Sequence, residues 1–319
     1  MNNSTDNIFI SIVIITYNKI EYLKAVLQNL ENLQNTKNVE LIVVNDGSND
    51  GTEEFLKRYR SLINVKSTTI QNSGSAVARN TGVNLSDGDY ILFLDDDIII
   101  SPDYIDLLRE SIAKHPDMIH AGRIKLIPID KVPLVFTRLR RKFYINQEFL
   151  EKNSYVDAIY GTLGIAYGDI PDAKLACWWA LATGGNICFP KYVFKESGGF
   201  DESFTNWGPE DIDLFYRAFK KNYFLKYNEQ CKLFHLDHNR NNEEIRANLM
   251  KNVLKLVKKY MSKDILSYLH FFNGITSLNI FNQICAEFNK LENIKLPQHY
   301  ISLNYYIKQD QIINCKKEA

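Results

Sequence analysis

Three consecutive carboxylates, Asp95-Asp96-Asp97, close a run of five apolar or aromatic residues from Tyr90 to Leu94. Acids this close repel one another, which costs free energy unless a cation sits beside them. The run before them opens at Asp87-Gly88-Asp89 and has the continuous apolarity of a strand buried in a parallel sheet. If strand geometry persists, Asp95 and Asp97 face one way and Asp96 the other. Two oxygen donors on one side suit a hard divalent cation such as Mg2+ or Mn2+. Ligands of open parallel sheets bind outside the carboxyl ends of the strands, and these acids stand at such an end. The bland alternative is a solvated loop capping a helix at Pro102. Direct attachment to a buried strand favours a site.

Two further groups carry chemistry. Trp207-Gly208-Pro209-Glu210-Asp211 places two acids after a proline suited to the first position of a helix. Ile212, Phe215, Tyr216 and Phe219 give that helix a buried face, so Glu210 and Asp211 fall in its first turn, where the dipole favours carboxylates. Lys232 to Phe234 reads as a short strand ending at His235-Leu236-Asp237-His238, which brings imidazoles to a strand end. Paired glycines, Gly184 and Gly185, between apolar runs indicate close approach of a backbone or ligand.

The elements that must position these groups alternate. Strands are expected over Phe9–Ile15, Val39–Val44, Val65–Ile70 and Tyr90–Leu94. Helices are expected over Glu21–Leu33, about Glu53–Arg60, Ser73–Leu85 and Pro102–Lys114. Strand–helix alternation implies right-handed crossovers and a parallel sheet with helices on both faces. Met118–Ile127 reads as another strand. From Lys131 to Asp172 no period is clean, and Arg138, Arg140, Arg141 and Lys142 cluster beside Phe136, Phe143 and Tyr144. Such a patch suits a phosphate, an anionic surface or a partner, although a solvated face is the commoner outcome. Short strands are expected over Phe224–Tyr227 and Lys232–Phe234. From about Asn241 a helical stripe (Ile245, Leu249, Val253, Leu256, Val257) begins a helical C-terminal appendage whose tail frays beyond Tyr306.

Composition bounds the function. The 319 residues are 45% hydrophobic and 24% charged, a globular balance. Lys plus Arg number 38 and Asp plus Glu 38, so no basic excess marks a nucleic-acid binder. The five cysteines are odd in number and lack a CxxC pair, which points to a reducing compartment rather than to disulfides or zinc. The opening Met-Asn-Asn-Ser-Thr-Asp-Asn has no cationic region of a signal peptide, and no apolar run reaches a membrane span. A cytoplasmic location is expected, with any membrane contact peripheral.

At this point a resemblance becomes specific. Ser11-Ile-Val-Ile-Ile-Thr-Tyr-Asn18, Val43-Val-Asn-Asp-Gly-Ser-Asn-Asp-Gly-Thr52, Gly74-Ser-Ala-Val-Ala-Arg-Asn-Thr-Gly82 and the Asp95-Asp96-Asp97 strand end stand in the order and spacing of family 2 glycosyltransferases. Gly198-Gly-Phe-Asp-Glu-Ser-Phe204 and Trp207-Gly-Pro-Glu-Asp211 extend the match, and His235 completes it. The Trp-Gly-x-Glu-Asp form is similar to bacterial polymerases that add hexosamine or uronic acid, and less closely to mucin-type N-acetylgalactosaminyltransferases. The resemblance implies a GT-A fold: a mostly parallel nucleotide-binding sheet flanked by helices. It covers about residues 9–238, with a donor half to about 115 and an acceptor half over 116–238. Residues 239–319 form the uncovered extension.

The resemblance also implies roles. A UDP-sugar donor would lose its diphosphate with Mn2+ or Mg2+ in attendance, held by Asp97 directly, with Asp95 nearer the ribose or a metal water. His235 would be the third protein ligand and His238 its reserve. Asp96 lines the same strand end. Thr16, Tyr17 and Asn18 would form the floor and wall of the base pocket, Asp46 would accept the uracil N–H, and Arg79 would reach base or diphosphate. Gly184 and Gly185 would let backbone approach the donor sugar, and Trp207 would stack on a sugar. Asp211 is the candidate general base and Glu210 the runner-up, acting on a hydroxyl of a saccharide or other acceptor. A metal-dependent phosphohydrolase and a non-catalytic glycan-binding subunit are the competing readings. The first would not need Asp46 and Trp207, and the second would bind sugar without hydrolysing UDP-sugar. A dehydrogenase is disfavoured, because no strand is followed by GxGxxG.

Overall fold

The computed structural model describes residues 4–140, 146–156, 175–205, 208–239, 242–272 and 275–288. One eight-stranded sheet organises them: β1 (Ile10–Thr16), β2 (Val39–Asn45), β3 (Asn64–Thr69), β4 (Tyr90–Asp95), β5 (Ile98–Ile100), β6 (Ile119–Ile127), β7 (Asn186–Pro190) and β8 (Leu225–Leu236). Their spatial order is β3-β2-β1-β4-β7-β6-β8-β5. The first four run parallel, as the strand–helix alternation requires. Then β7 enters antiparallel to β4 and to β6, β6 runs parallel to β8, and β5 closes the edge antiparallel to β8. The sheet is thus a mixed GT-A sheet whose parallel half carries the expected nucleotide side.

Alternating residues of the central strands bury to opposite faces. Ile12, Ile14, Leu41, Val43, Leu92 and Leu94 pack into one apolar cluster with Leu23, Val26, Leu27 and Leu30 of helix α1 (Ile20–Leu30). Val13, Ile42, Val44, Ile91 and Phe93 pack into the other, beneath helix α3 (Ser75–Leu85). There Gly82 lets helix meet sheet, since a Cβ would lie 2.4 Å from a Val13 methyl. Helices α2 (Thr52–Arg58) and α4 (Tyr104–Lys114) complete the layers of the first half.

Several elements differ from the sequence expectations. Strand geometry stops at Asp95; Asp96 and Asp97 form a turn into β5, a strand that Ile98–Ile100 was too short to announce. The expected alternation of the three acids therefore fails, because it needs a continued strand. The two short strands near residues 224 and 232 are one, β8, whose pairing with β6 slips between Gly122 and Arg123. The aperiodic stretch contains helices α5 (Val132–Arg140) and α6 (Gln147–Lys152). Its basic patch is partly engaged internally: Arg138 lies 4.1 Å over the Phe149 ring, and Arg140 pairs with Glu21. Arg141, Lys142, Phe143 and Tyr144 lie outside the described residues. Helix α7 (Lys191–Glu196) follows Pro190, and α8 (Glu210–Lys220) starts one residue after Pro209. Helices α9 (Asn242–Tyr260), α10 (Lys263–Phe272) and α11 (Leu278–Phe288) follow the sheet. Val253, Leu256, Ile265, Leu269 and Phe281 share an apolar cluster with Trp178, Trp179 and Phe215.

The entrance to β4 is held by one buried acid. Glu40 accepts hydrogen bonds from Ser11 Oγ (2.5 Å), Asp87 N (2.5 Å) and Gly88 N (3.2 Å), and pairs with Lys66 (2.8 Å). Burial raises the Glu40 carboxyl, and the Lys66, Ser11 and Asp87 hydrogen bonds outweigh it, so the group stays charged below its ordinary range. Glu40→Ala leaves those donors unpaired inside the protein and should cost about 2–4 kcal/mol, read as a lower urea midpoint at unchanged slope.

Candidate active site

The carboxyl ends of β1, β2 and β4 gather most of the sequence candidates. Thr16 at the end of β1 donates its hydroxyl to Asp96 Oδ2 at 2.7 Å. Tyr17 is 48% exposed, and Asn18 adopts a left-handed conformation that an asparagine tolerates. Asn18 receives Asn49 N on its side chain (2.8 Å) and donates its own N–H to Ser48 Oγ (2.9 Å), tying the two strand-end loops together. Asp46, after β2, accepts Ser73 N (2.7 Å) on one oxygen and Gly74 N (2.9 Å) on the other. It thereby shapes the loop that opens α3, and each oxygen keeps a further lone pair for a ligand.

The three acids of β4 separate into two environments. Asp95 meets Arg79 at 3.1 Å and presses on Gly185, where a Cβ would lie 2.2 Å from its Oδ2. Asp96 and Asp97 share a cation absent from the sequence candidates, Lys19. Its ammonium lies 2.7 Å from Asp97 Oδ2, 3.4 Å from Asp96 Oδ1 and 3.0 Å from His238 Nε2. Burial pulls the Lys19 ammonium down, and Asp96 and Asp97 outweigh it, so it stays firmly charged. The signal was present in sequence: a lysine immediately after Thr16-Tyr17-Asn18, facing strand-end acids. Burial pushes the Asp96 carboxyl up, with Lys19 opposing and Asp97 adding. Burial likewise works against charge on Asp97, and His235, His238 and Lys19 overcome it and hold this carboxyl low.

Asp97 also faces the end of β8. His235 Nε2 lies 3.4 Å from its Oδ1 and His238 Nε2 3.2 Å from its Oδ2. One donor atom from each of Asp97, His235 and His238 falls within 4.8 Å of the others. One oxygen and two imidazole nitrogens this close fit a single divalent ion of the Mn2+ kind. Among the described residues this is the group of three such donors; Asp95, expected as a ligand, is not in it.

A second acid pair stands across Arg79. Glu210 Oε1 accepts from Arg79 (2.9 Å) and from Ser75 Oγ (2.7 Å), while its buried Oε2 accepts no hydrogen bond among the described residues. Asp211 accepts Gly184 N at 3.0 Å and Ile212 N at 2.8 Å. A Cβ on Gly184 would come within 3.2 Å of the Asp211 Cβ, so the paired glycines pack against one acid at the end of β4 and one at the start of α8. Burial, then Glu210, push the Asp211 carboxyl up to about 6, against the pull of Arg79. That is the range in which a carboxylate serves as a base near neutral pH. Trp207 lies outside the described residues. Ser75 was missed because a serine at a helix start ordinarily reads as a cap.

Residues 11–166 match the model for "Glycosyl transferase family 2", and residues 169–239 that for "N-terminal domain of galactosyltransferase". Over residues 11–166, a little under half of its length, the chain is similar to the family 2 glycosyltransferases. It is 27% identical over 236 residues, 71% of its length, to the chondroitin synthase of Escherichia coli, of which it spans 34%. Its fold is similar to S. aureus TarS 1–349 in complex with UDP-GlcNAc (TM-score 0.55, 15% identity, 83% of this chain and 71% of that one). It is also similar to GalNAc-T7 with UDP, GalNAc and Mn2+ (TM-score 0.59, 13% identity, 96% of this chain and 57% of that one).

The donor cluster makes a direct prediction. Mn2+ titrated calorimetrically in the presence of UDP should bind saturably to the wild-type protein. Asp97→Ala should lose this binding, and His235→Ala and His238→Ala should each weaken it. Wild-type isotherms for all three variants would rule the cluster out.

Proposed function

We propose that this protein transfers a hexose or hexosamine-type sugar from a UDP-sugar to a hydroxyl of a saccharide or other acceptor, with inversion at the anomeric carbon. Its setting would be bacterial surface polysaccharide or glycoconjugate synthesis, on the cytoplasmic side of the membrane. No helix among the described residues is long and apolar enough to cross a membrane. The observation that carries the reading is the pairing of two acid centres across Arg79: Asp95 on the β4 side at 3.1 Å and Glu210 on the α8 side at 2.9 Å. Leaving-group and acceptor chemistry need two such centres facing one sugar.

The Asp46 loop and the Thr16–Asn18 turn would hold the nucleotide. Asp97, His235 and His238 would hold Mn2+ or Mg2+, whose charge offsets that of the departing diphosphate. Asp211 would take the proton from the acceptor hydroxyl as that oxygen bonds to the anomeric carbon. The bond from that carbon to the UDP oxygen breaks on the opposite face, and UDP leaves with the electron pair. An α-linked donor then gives a β-linked product. Glu210 would stay paired with Arg79 and Ser75, with one oxygen left for the acceptor.

Four measurements test this. Asp211→Asn keeps the shape and removes the basic oxygen, so UDP should bind as before while transfer falls by about 10²–10⁴-fold. A retained anomer in the product, seen by NMR, would refute inversion. The active form of Asp211 is deprotonated, so turnover should be lost as pH falls through about 6, above the ordinary carboxylate range. Asp46→Ala should weaken UDP by about 1.5–3 kcal/mol, and the wild-type pocket should prefer UDP to GDP. Equal affinity for the two nucleotides would count against the uracil assignment.

A further inference from the structure

The segment that carries Glu210 and Asp211 is gripped on both sides by α9, a helix beyond the reach of the family matches. Three residues before Asp211, the Gly208 carbonyl accepts Asn252 Nδ2 at 2.6 Å. Two residues after it, Asp213 is fully buried and accepts Lys259 Nζ (2.6 Å), Tyr260 Oη (2.7 Å) and Arg217 Nε (2.9 Å). Lys259 also reaches Asp201 at 2.6 Å, on the Gly198–Phe204 segment. One turn further along α8, Tyr216 donates to Asp264 of α10, whose side chain is fully buried.

A buried carboxylate at Asp213 is expensive unless its donors are in place, so its position is set by where Lys259 and Tyr260 stand. The Asn252 amide does the same for the backbone that leads into α8. Asp211 sits between these two anchors and, among the described residues, accepts the Gly184 and Ile212 amides. The geometry points to α9 as a positioning element of the transfer site: Asn252 and Lys259 clamp the 208–213 segment and so hold Asp211 against the acceptor hydroxyl. They act through Asp211 and touch no reacting atom. The inference rests on Asp211 being the base.

Displacing a base by about 1 Å costs on the order of 10²-fold in turnover without touching the donor pocket. Four variants of the full chain, Asn252→Ala, Lys259→Met, Lys259→Arg and Asp211→Asn, would be compared with wild type for transfer kinetics, donor KM, UDP affinity with Mn2+ and melting temperature. UDP titration counts the folded sites. Expected are a kcat per folded site reduced about 10–100-fold in Asn252→Ala and Lys259→Met, donor KM and UDP affinity within about twofold of wild type, and recovery in Lys259→Arg, which keeps the cation at Asp213. Wild-type kcat in Asn252→Ala and Lys259→Met beside an inactive Asp211→Asn would overturn the clamp and leave the base assignment standing. Parallel loss of kcat and UDP affinity would also overturn it, since the helices would then only stabilise the fold. Wild-type transfer by Asp211→Asn would overturn the base assignment, and the clamp with it.

Discussion

One buried cation holds the site together. Arg79 is 8% exposed, and its guanidinium spans the strand-end Asp95 and the helix-start Glu210 with the Phe200 ring 5.4 Å away. Burying the guanidinium costs several kcal/mol, and so does burying the Glu210 carboxylate; the cost is offset only when their mutual geometry, with the half-exposed Asp95 on the other side, satisfies them. Burial opposes the charge on Arg79, and Asp95, Glu210 and Asp211 outweigh it. Removing the arginine would leave Asp95 and the buried Glu210 to repel each other without their shared cation. The end of β4 and the starts of α3 and α8 therefore meet through an ion cluster rather than through apolar surface alone.

A second cation repeats the device a few residues along. Lys19 takes Asp96 and Asp97 as Arg79 takes Asp95. Three adjacent acids are thus divided between two basic groups from different elements, one on α3 and one before α1. The division is possible because β4 ends at Asp95: the turn that follows swings Asp96 and Asp97 toward β1 and β8, where Thr16, His235 and His238 wait. Backbone packing enforces it. Gly185 approaches Asp95 so closely that any side chain there would displace the carboxylate.

Much of this was legible in the residues. Periodicity located β1, β2 and β4 because each is apolar on both faces, the edge strand β3 by its β-branched residues, and the helices because each is apolar on one face. The acid triplet, the Glu210-Asp211 pair and the two histidines stood out by type and place. Lys19 and Ser75 did not, since a lysine in a loop and a serine at a helix start have ordinary uses. Helices α5 and α6 escaped because both are short. Trp178 and Trp179 are wholly buried against α8 and the last helices, a packing that no local pattern announces.

Local patterning by itself determined the parallel half of the sheet and the chemical identity of the acid groups, because burial of a strand and repulsion between neighbouring carboxylates are properties of a few adjacent residues. Which cation serves which acid was decided by the tertiary structure alone, since Lys19 reaches Asp97 from 78 residues away and Arg79 reaches Glu210 from 131. The same holds for the insertion of β7 between β4 and β6 and for the docking of α9 on α8. Pairings between distant segments follow from packing the whole chain at once. No window of sequence contains the desolvation and charge that set the worth of each contact.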